Sequence, residues 1–127
     1  MYISPIERMK KIHIWIGSYF DGIEKYEEYF NQDNSPSQFC EDIGIEEYDD
    51  DFIGIIPLSY NEVNILTLLL KVPVEESEKS KILKRCNNLG LEKGNAIFYL
   101  TDSSICIKDT ENDYNGLLYI GIYNSSL

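Results

Sequence analysis

Histidine occurs once, as His13, and the three cysteines, Cys40, Cys86 and Cys106, stand far apart. A transition-metal site needs several such ligands close together, and the chain has no CxxC or HxxxH spacing. A cysteine nucleophile needs an imidazole in reach and a third group to orient it. His13 instead sits inside the apolar run Lys11–Gly17, and free cysteine is among the most buried residue types, so all three thiols are expected in the core. An odd cysteine count argues against a disulfide framework and for reduced thiols in the cytoplasm. No stretch approaches the roughly 20 apolar residues of a membrane span. Residues 1–11 lack the apolar core of a secretory signal. A phosphate-binding loop, a dinucleotide fingerprint and a GxSxG elbow are also missing. No repeat, low-complexity tract or Gly/Ser linker divides the 127 residues, which are expected to form one domain over 1–127. No catalytic residue, metal ligand or cofactor site is therefore expected.

Positive charge is scarce too: 11 Lys and Arg face 22 Asp and Glu, for a net charge of −11. The imbalance is confined. Asp21–Asp51 holds twelve acids and a single base, Lys25, so this segment carries the whole −11 and the rest of the chain is neutral. Such a field repels phosphates, which excludes direct nucleic-acid binding, and it steers a basic partner. The run Asp49-Asp50-Asp51 lacks the alternate spacing, central Gly and distal Glu of a calcium loop.

The densest part is the candidate site. Glu41, Asp42, Glu46, Glu47, Asp49, Asp50 and Asp51 fall within eleven residues around Tyr48, with no base among them. Self-repulsion there opposes folding, which suggests that a partner uses the field. Glu41 and Asp42 close a helix, where negative charge opposes the macrodipole. Tyrosine, present ten times, offers apolar area with a polar tip at low entropic cost, and Tyr29 and Tyr48 are candidates for a contact surface. Trp15 reads as a core anchor.

The elements follow from periodicity and punctuation. Lys11–Gly17, apolar on both faces except at His13, predicts a central strand. Asp21 with Glu24 predicts a capped helix with Ile23, Tyr26 and Phe30 on its inner face. Ser35-Pro36-Ser37-Gln38 repeats that pattern, with Pro36 at the first helical position, Phe39, Cys40 and Ile43 inward and Gly44 past the end. Phe52–Leu58 predicts a strand. Ser59 with Glu62 predicts a Leu-rich helix of about ten residues before Pro73, with a strand as the alternative. Glu75, Glu76 and Glu78, followed by Lys84 and Arg85, match the dipole of a further helix whose stripe is Ile82, Leu83, Cys86 and Leu89. Asn95–Thr101, Ile105–Ile107 and Leu117–Tyr123 complete a strand-rich end, with a turn at Asp102-Ser103. The fold class expected is α+β: one mixed or antiparallel sheet of four to five strands with helices packed on it.

Several short motifs also agree in order and spacing with a known family. His13-Ile14-Trp15-Ile16-Gly17, Glu28-Tyr29-Phe30, Ser37-Gln38-Phe39-Cys40-Glu41-Asp42-Ile43-Gly44, Tyr48-Asp49-Asp50-Asp51-Phe52 and Asn95-Ala96-Ile97 together resemble the immunity protein 22 family of bacterial polymorphic-toxin systems. The resemblance spans about Lys11 to Leu100. It implies an α+β protein that binds and neutralises a cognate protein toxin, and it carries over no catalytic residues. The basic toxin, many of which are nucleases, is the partner expected; no membrane is involved. An acidic adaptor or nucleic-acid mimic that binds another basic partner would use the same surface, and a thiol or metal enzyme is the remaining alternative.

Overall fold

The computed structural model describes residues 4–33 and 36–127. In chain order the elements are α1 (Pro5–Arg8), β1 (Lys11–Gly17), α2 (Ile23–Glu28), α3 (Gln38–Ile43), β2 (Ile53–Ile55), β3 (Val63–Asn64) and α4 (Ile65–Leu69). A 3₁₀ turn, Glu76–Glu78, leads into α5 (Lys79–Asn88), followed by β4 (Lys93–Gly94), β5 (Ala96–Leu100) and β6 (Leu117–Asn124). The chain is α+β. Its main sheet has four antiparallel strands in the order β2-β5-β1-β6, and β3 and β4 form a separate small pair.

β1 is interior, as its two-faced apolar pattern requires, and six of its seven residues are buried. Side chains alternate across a strand, so β1 feeds two cores. Trp15 faces an aromatic cluster with Tyr26, Phe30, Phe39, Phe98 and Tyr114, under α2, α3 and the loops. Ile12, Ile14 and Ile16 face an aliphatic cluster with Leu68, Leu69 and Ile82 from α4 and α5. The register of β1 on β6 slips between Ile14 and Trp15, which inserts an extra residue in β6.

Local capping departs from the expected pattern. Asp21 does not cap α2: Gly22 holds that position at φ 99° with no side-chain bond, and Ile23 is exposed. Ser37 caps α3, its hydroxyl accepting from Cys40 N at 3.1 Å, and Pro36 precedes the helix instead of opening it. Ser35 lies outside the described residues. Gly44 ends α3 in the left-handed conformation, as expected. Ser59 caps nothing: its hydroxyl accepts from Lys71 Nζ at 3.1 Å, and the chain bends at residues 60–61 without entering a helix; Asn64 caps the shorter α4 by accepting from Thr67 N. β2 stops at Ile55, short of the expected Leu58. Ile105–Ile107 forms no strand. A turn bond from Ile105 N to Asp102 O redirects it, and Ile107 is buried in the aromatic cluster. Cys40 and Cys86 are buried as expected, and burial pushes the Cys86 thiol up to about 11, whereas Cys106 is exposed on this irregular segment.

Candidate functional site

The acidic loop is shaped from beneath by the aromatic core. Phe39 and Ile43 of α3 turn inward, which leaves Glu41 exposed on the outer face and Asp42 half-buried. Asp42 is held from both sides: the Tyr29 hydroxyl donates to Oδ2 at 2.6 Å and Gln38 Nε2 donates to Oδ1 at 2.9 Å. Burial first, then this bond to Asp42, raises the Tyr29 hydroxyl pKa, so the phenol stays protonated and donating. Tyr29, a candidate for a contact surface, is instead buried in the aromatic core.

Tyr48 pins the loop. Its ring meets Phe39 edge-on at 6.0 Å, its hydroxyl donates to Phe30 O at 2.6 Å, and its N–H donates to Gln32 Oε1 at 2.9 Å. Burial, helped by the charge of Asp50, pushes its hydroxyl up to about 12. Beyond it, Asp49 folds a tight turn in which Oδ1 accepts from Asp51 N and the carbonyl accepts from Phe52 N. Phe52 then drops into the core, under the guanidinium of Arg8 at 4.5 Å from the ring centroid.

Two concavities meet at Tyr48. One, of about 530 Å³, is lined by Arg8, Gln32, Glu47, Tyr48, Asp49 and Asp50. The Arg8 guanidinium is engaged there by Asp102, at 2.6 Å between Nη2 and Oδ2. The second, of about 450 Å³, is lined by Glu24, Glu27 and Glu28 of α2 together with Tyr48 and Ile55. Of the eight residues expected in the site, Glu47, Tyr48, Asp49 and Asp50 are therefore brought together. Glu41, Glu46 and Asp51 are exposed but line neither concavity, and Asp42 supports the surface through its two bonds. Reasoning along the chain missed Glu24, Glu27 and Glu28 as site members. They are some twenty residues away, and only the packing of α2 beside β2 carries them to Tyr48; their surplus of negative charge was the one available signal.

His13 is buried and satisfied. Its Nε2 lies 3.1 Å from the carbonyl of Asp102, which can only accept, so the proton sits on Nε2 and Nδ1 accepts from the Tyr119 hydroxyl at 2.7 Å. Burial lowers the imidazole pKa, which keeps the ring neutral in this arrangement. Among the described residues no group of three His, Cys, Asp or Glu could hold a metal ion. Nor, among the same residues, is any helix long and apolar enough to cross a membrane.

The family model described as Immunity protein 22 matches residues 12–125 of the chain. No curated protein and no solved structure matches it.

Proposed function

The chain belongs to the Immunity protein 22 family, and from that premise we propose that it neutralises a cognate bacterial protein toxin by binding the toxin's basic surface with its acidic one. The observation that carries this reading is the confinement of the whole net charge to residues 21–51, with carboxylates from α2 and from the 46–51 loop flanking one tyrosine. Glu47, Asp49 and Asp50 face the partner directly, Glu41, Glu46 and Asp51 extend the field, and Tyr48 supplies a rigid apolar wall between the concavities. Asp42 positions the loop. Exposed carboxylates of this kind act mainly on encounter, raising the association rate and orienting the partner. The chain acts by occupancy, in the compartment where the toxin is made.

Co-expression with a cognate toxin tests the function: growth should be rescued by this chain and not by an unrelated acidic protein. Stopped-flow association tests the surface. Asp49→Asn, Asp50→Asn and Asp51→Asn combined should slow association by about tenfold at low salt and flatten its salt dependence, as the Debye length shrinks from about 30 Å at 0.01 M to about 8 Å at 0.15 M. Unchanged rates in that variant would retire the loop as the contact. A toxin that kills despite tight binding would retire neutralisation.

A further inference from the structure

Beside the charged loop lies an open sheet edge. β2 ends the four-stranded order, and its inner side pairs with β5 in the register Ile53↔Leu100, Gly54↔Tyr99, Ile55↔Phe98. The bond from Thr101 N to Phe52 O, at 2.7 Å, sets the phase of the ladder. In an antiparallel pair hydrogen-bonded and non-hydrogen-bonded positions alternate. Gly54 therefore turns its N–H and C=O toward β5, and Ile53 and Ile55 turn theirs outward. Among the described residues no other strand or loop backbone bonds to them.

The surroundings of that edge select an occupant. Ile55 floors the 450 Å³ concavity walled by Glu24, Glu27 and Glu28, and on its other side it joins Ile23, Ile56 and Pro57 around a second hollow of about 290 Å³. A Cβ on Gly54 would lie 2.0 Å from the Tyr99 ring, which covers the far face of the strand there. The edge thus combines outward backbone donors and acceptors, an apolar hollow and a carboxylate wall on a single side. A second copy of this chain would bring its own acids against these and be repelled. An extended segment with basic and apolar side chains at alternate positions of one strand face, i and i+2, would complete the ladder, place Lys or Arg on the glutamates and fill the hollow between them.

We propose that the β2 edge is a strand-addition site for an extended basic segment of the partner. The proposal rests on the reading of the chain as a binder of a basic toxin and names the form in which that toxin engages it. A ten-residue peptide with Lys and Val alternating on one strand face and Thr on the other serves as the Lys/Val probe, with its Glu/Val counterpart as the control. In the full chain the Lys/Val peptide should give saturable NMR shifts at Ile53 and Ile55 and slow exchange of their two amides by about fivefold or more, and the Glu/Val peptide should do neither. Changing Glu24, Glu27 and Glu28 to Gln, all exposed, should weaken the peptide about tenfold with folding intact. Ile55→Pro should abolish binding while leaving the β2–β5 ladder, because proline is tolerated where an edge N–H faces out. Should that variant fail to fold, amide exchange in the unaltered chain still decides the matter. Shifts confined to residues 46–51, equal binding of the Glu/Val peptide, or no binding would each overturn the proposal. None of these touches growth rescue, by which the neutralising function fails separately.

Discussion

On one side of β1, Trp15 stacks on Phe98 at 4.8 Å between ring centroids and meets Phe39 edge-on at 5.4 Å; on the other, Ile12, Ile14 and Ile16 pack against leucines and isoleucines of α4 and α5. The same strand builds both cores, yet only the aromatic one carries the acidic surface. Aromatic rings explain why. Tyrosine buries its ring while its hydroxyl reaches the rim, and here Tyr29 holds Asp42, Tyr48 holds the carbonyl of Phe30, and Tyr114 holds that of Asp109. Short helices and loops rich in like charge are thereby tied to the core by neutral hydroxyl donors. On the aliphatic side Tyr123 holds the carbonyl of Ile120 at 2.8 Å within its own strand, and the helix is tied down at one end, where Glu78 accepts from Asn124 N at 2.8 Å and from Lys81 Nζ at 3.1 Å.

The largest test of this contrast removes the shared anchor of the aromatic side. Trp15→Ala should cost about 3–5 kcal/mol in urea unfolding followed by circular dichroism, against about 0.5–1.5 kcal/mol for Ile14→Val on the opposite face. The acidic surface should lose its order along with the aromatic core. A Trp15→Ala protein as stable as Ile14→Val would end the claim that aromatic packing holds that side.

Glu78→Gln probes the tie on the aliphatic side and should cost about 1–3 kcal/mol, since Asn124 N and Lys81 lose a charged acceptor. The bond from Asn124 N, then that from Lys81, holds the Glu78 carboxyl below its ordinary 4.5. A depressed carboxyl stabilises above its unfolded value and loses that contribution as pH falls through the folded one, so the variant should converge with the parent in strong acid. Denaturation midpoints from pH 7 to pH 3 read this directly.

His13 gives a window of its own. Its pKa lies below 6.5, so the neutral ring stabilises the fold at higher pH, and that stability is lost as pH falls below 6.5, where the unfolded chain takes up the proton first. Asp102 and Glu78 respond lower, below their ordinary 3.8 and 4.5. His13→Gln should therefore remove the drop in stability between pH 7 and pH 5 and leave the acid limb in place. A parent protein equally stable at both values would contradict the buried neutral imidazole. The smallest effect belongs to the loop: Asn at 49, 50 and 51 should change stability by no more than about 0.5 kcal/mol, upward if at all, because the carboxylates are exposed and mutually repulsive. A marked loss in thermal unfolding would show that the loop's charge is structural.

Much of this was written in the chain. The alternation of β1 and its central place, the inward Phe39, Cys40 and Ile43, the Gly44 stop and the stripe through Ile82 and Cys86 all follow from period and punctuation, because burying an apolar face dictates them locally. Capping was less legible. Several Ser, Asp and Asn residues stand within a few positions of each helix start, and which one caps depends on bonds made elsewhere, as when Lys71 Nζ donates to the Ser59 hydroxyl. Ile105–Ile107 read as a strand by composition but bends at Asp102, where the Arg8 pair and the His13 bond hold the backbone.

The sequence alone determined that this protein is acidic in one segment and that its strand Lys11–Gly17 is apolar on both faces, since those are properties of residue type and spacing. Only the tertiary structure decided that Glu24, Glu27 and Glu28 stand beside Tyr48, that Asp42 serves the scaffold, and that β2 ends the sheet with Ile53 and Ile55 facing outward. These depend on how distant segments meet, and such meetings are set by the packing of α2 and α3 on the aromatic face, not by any local preference of the chain.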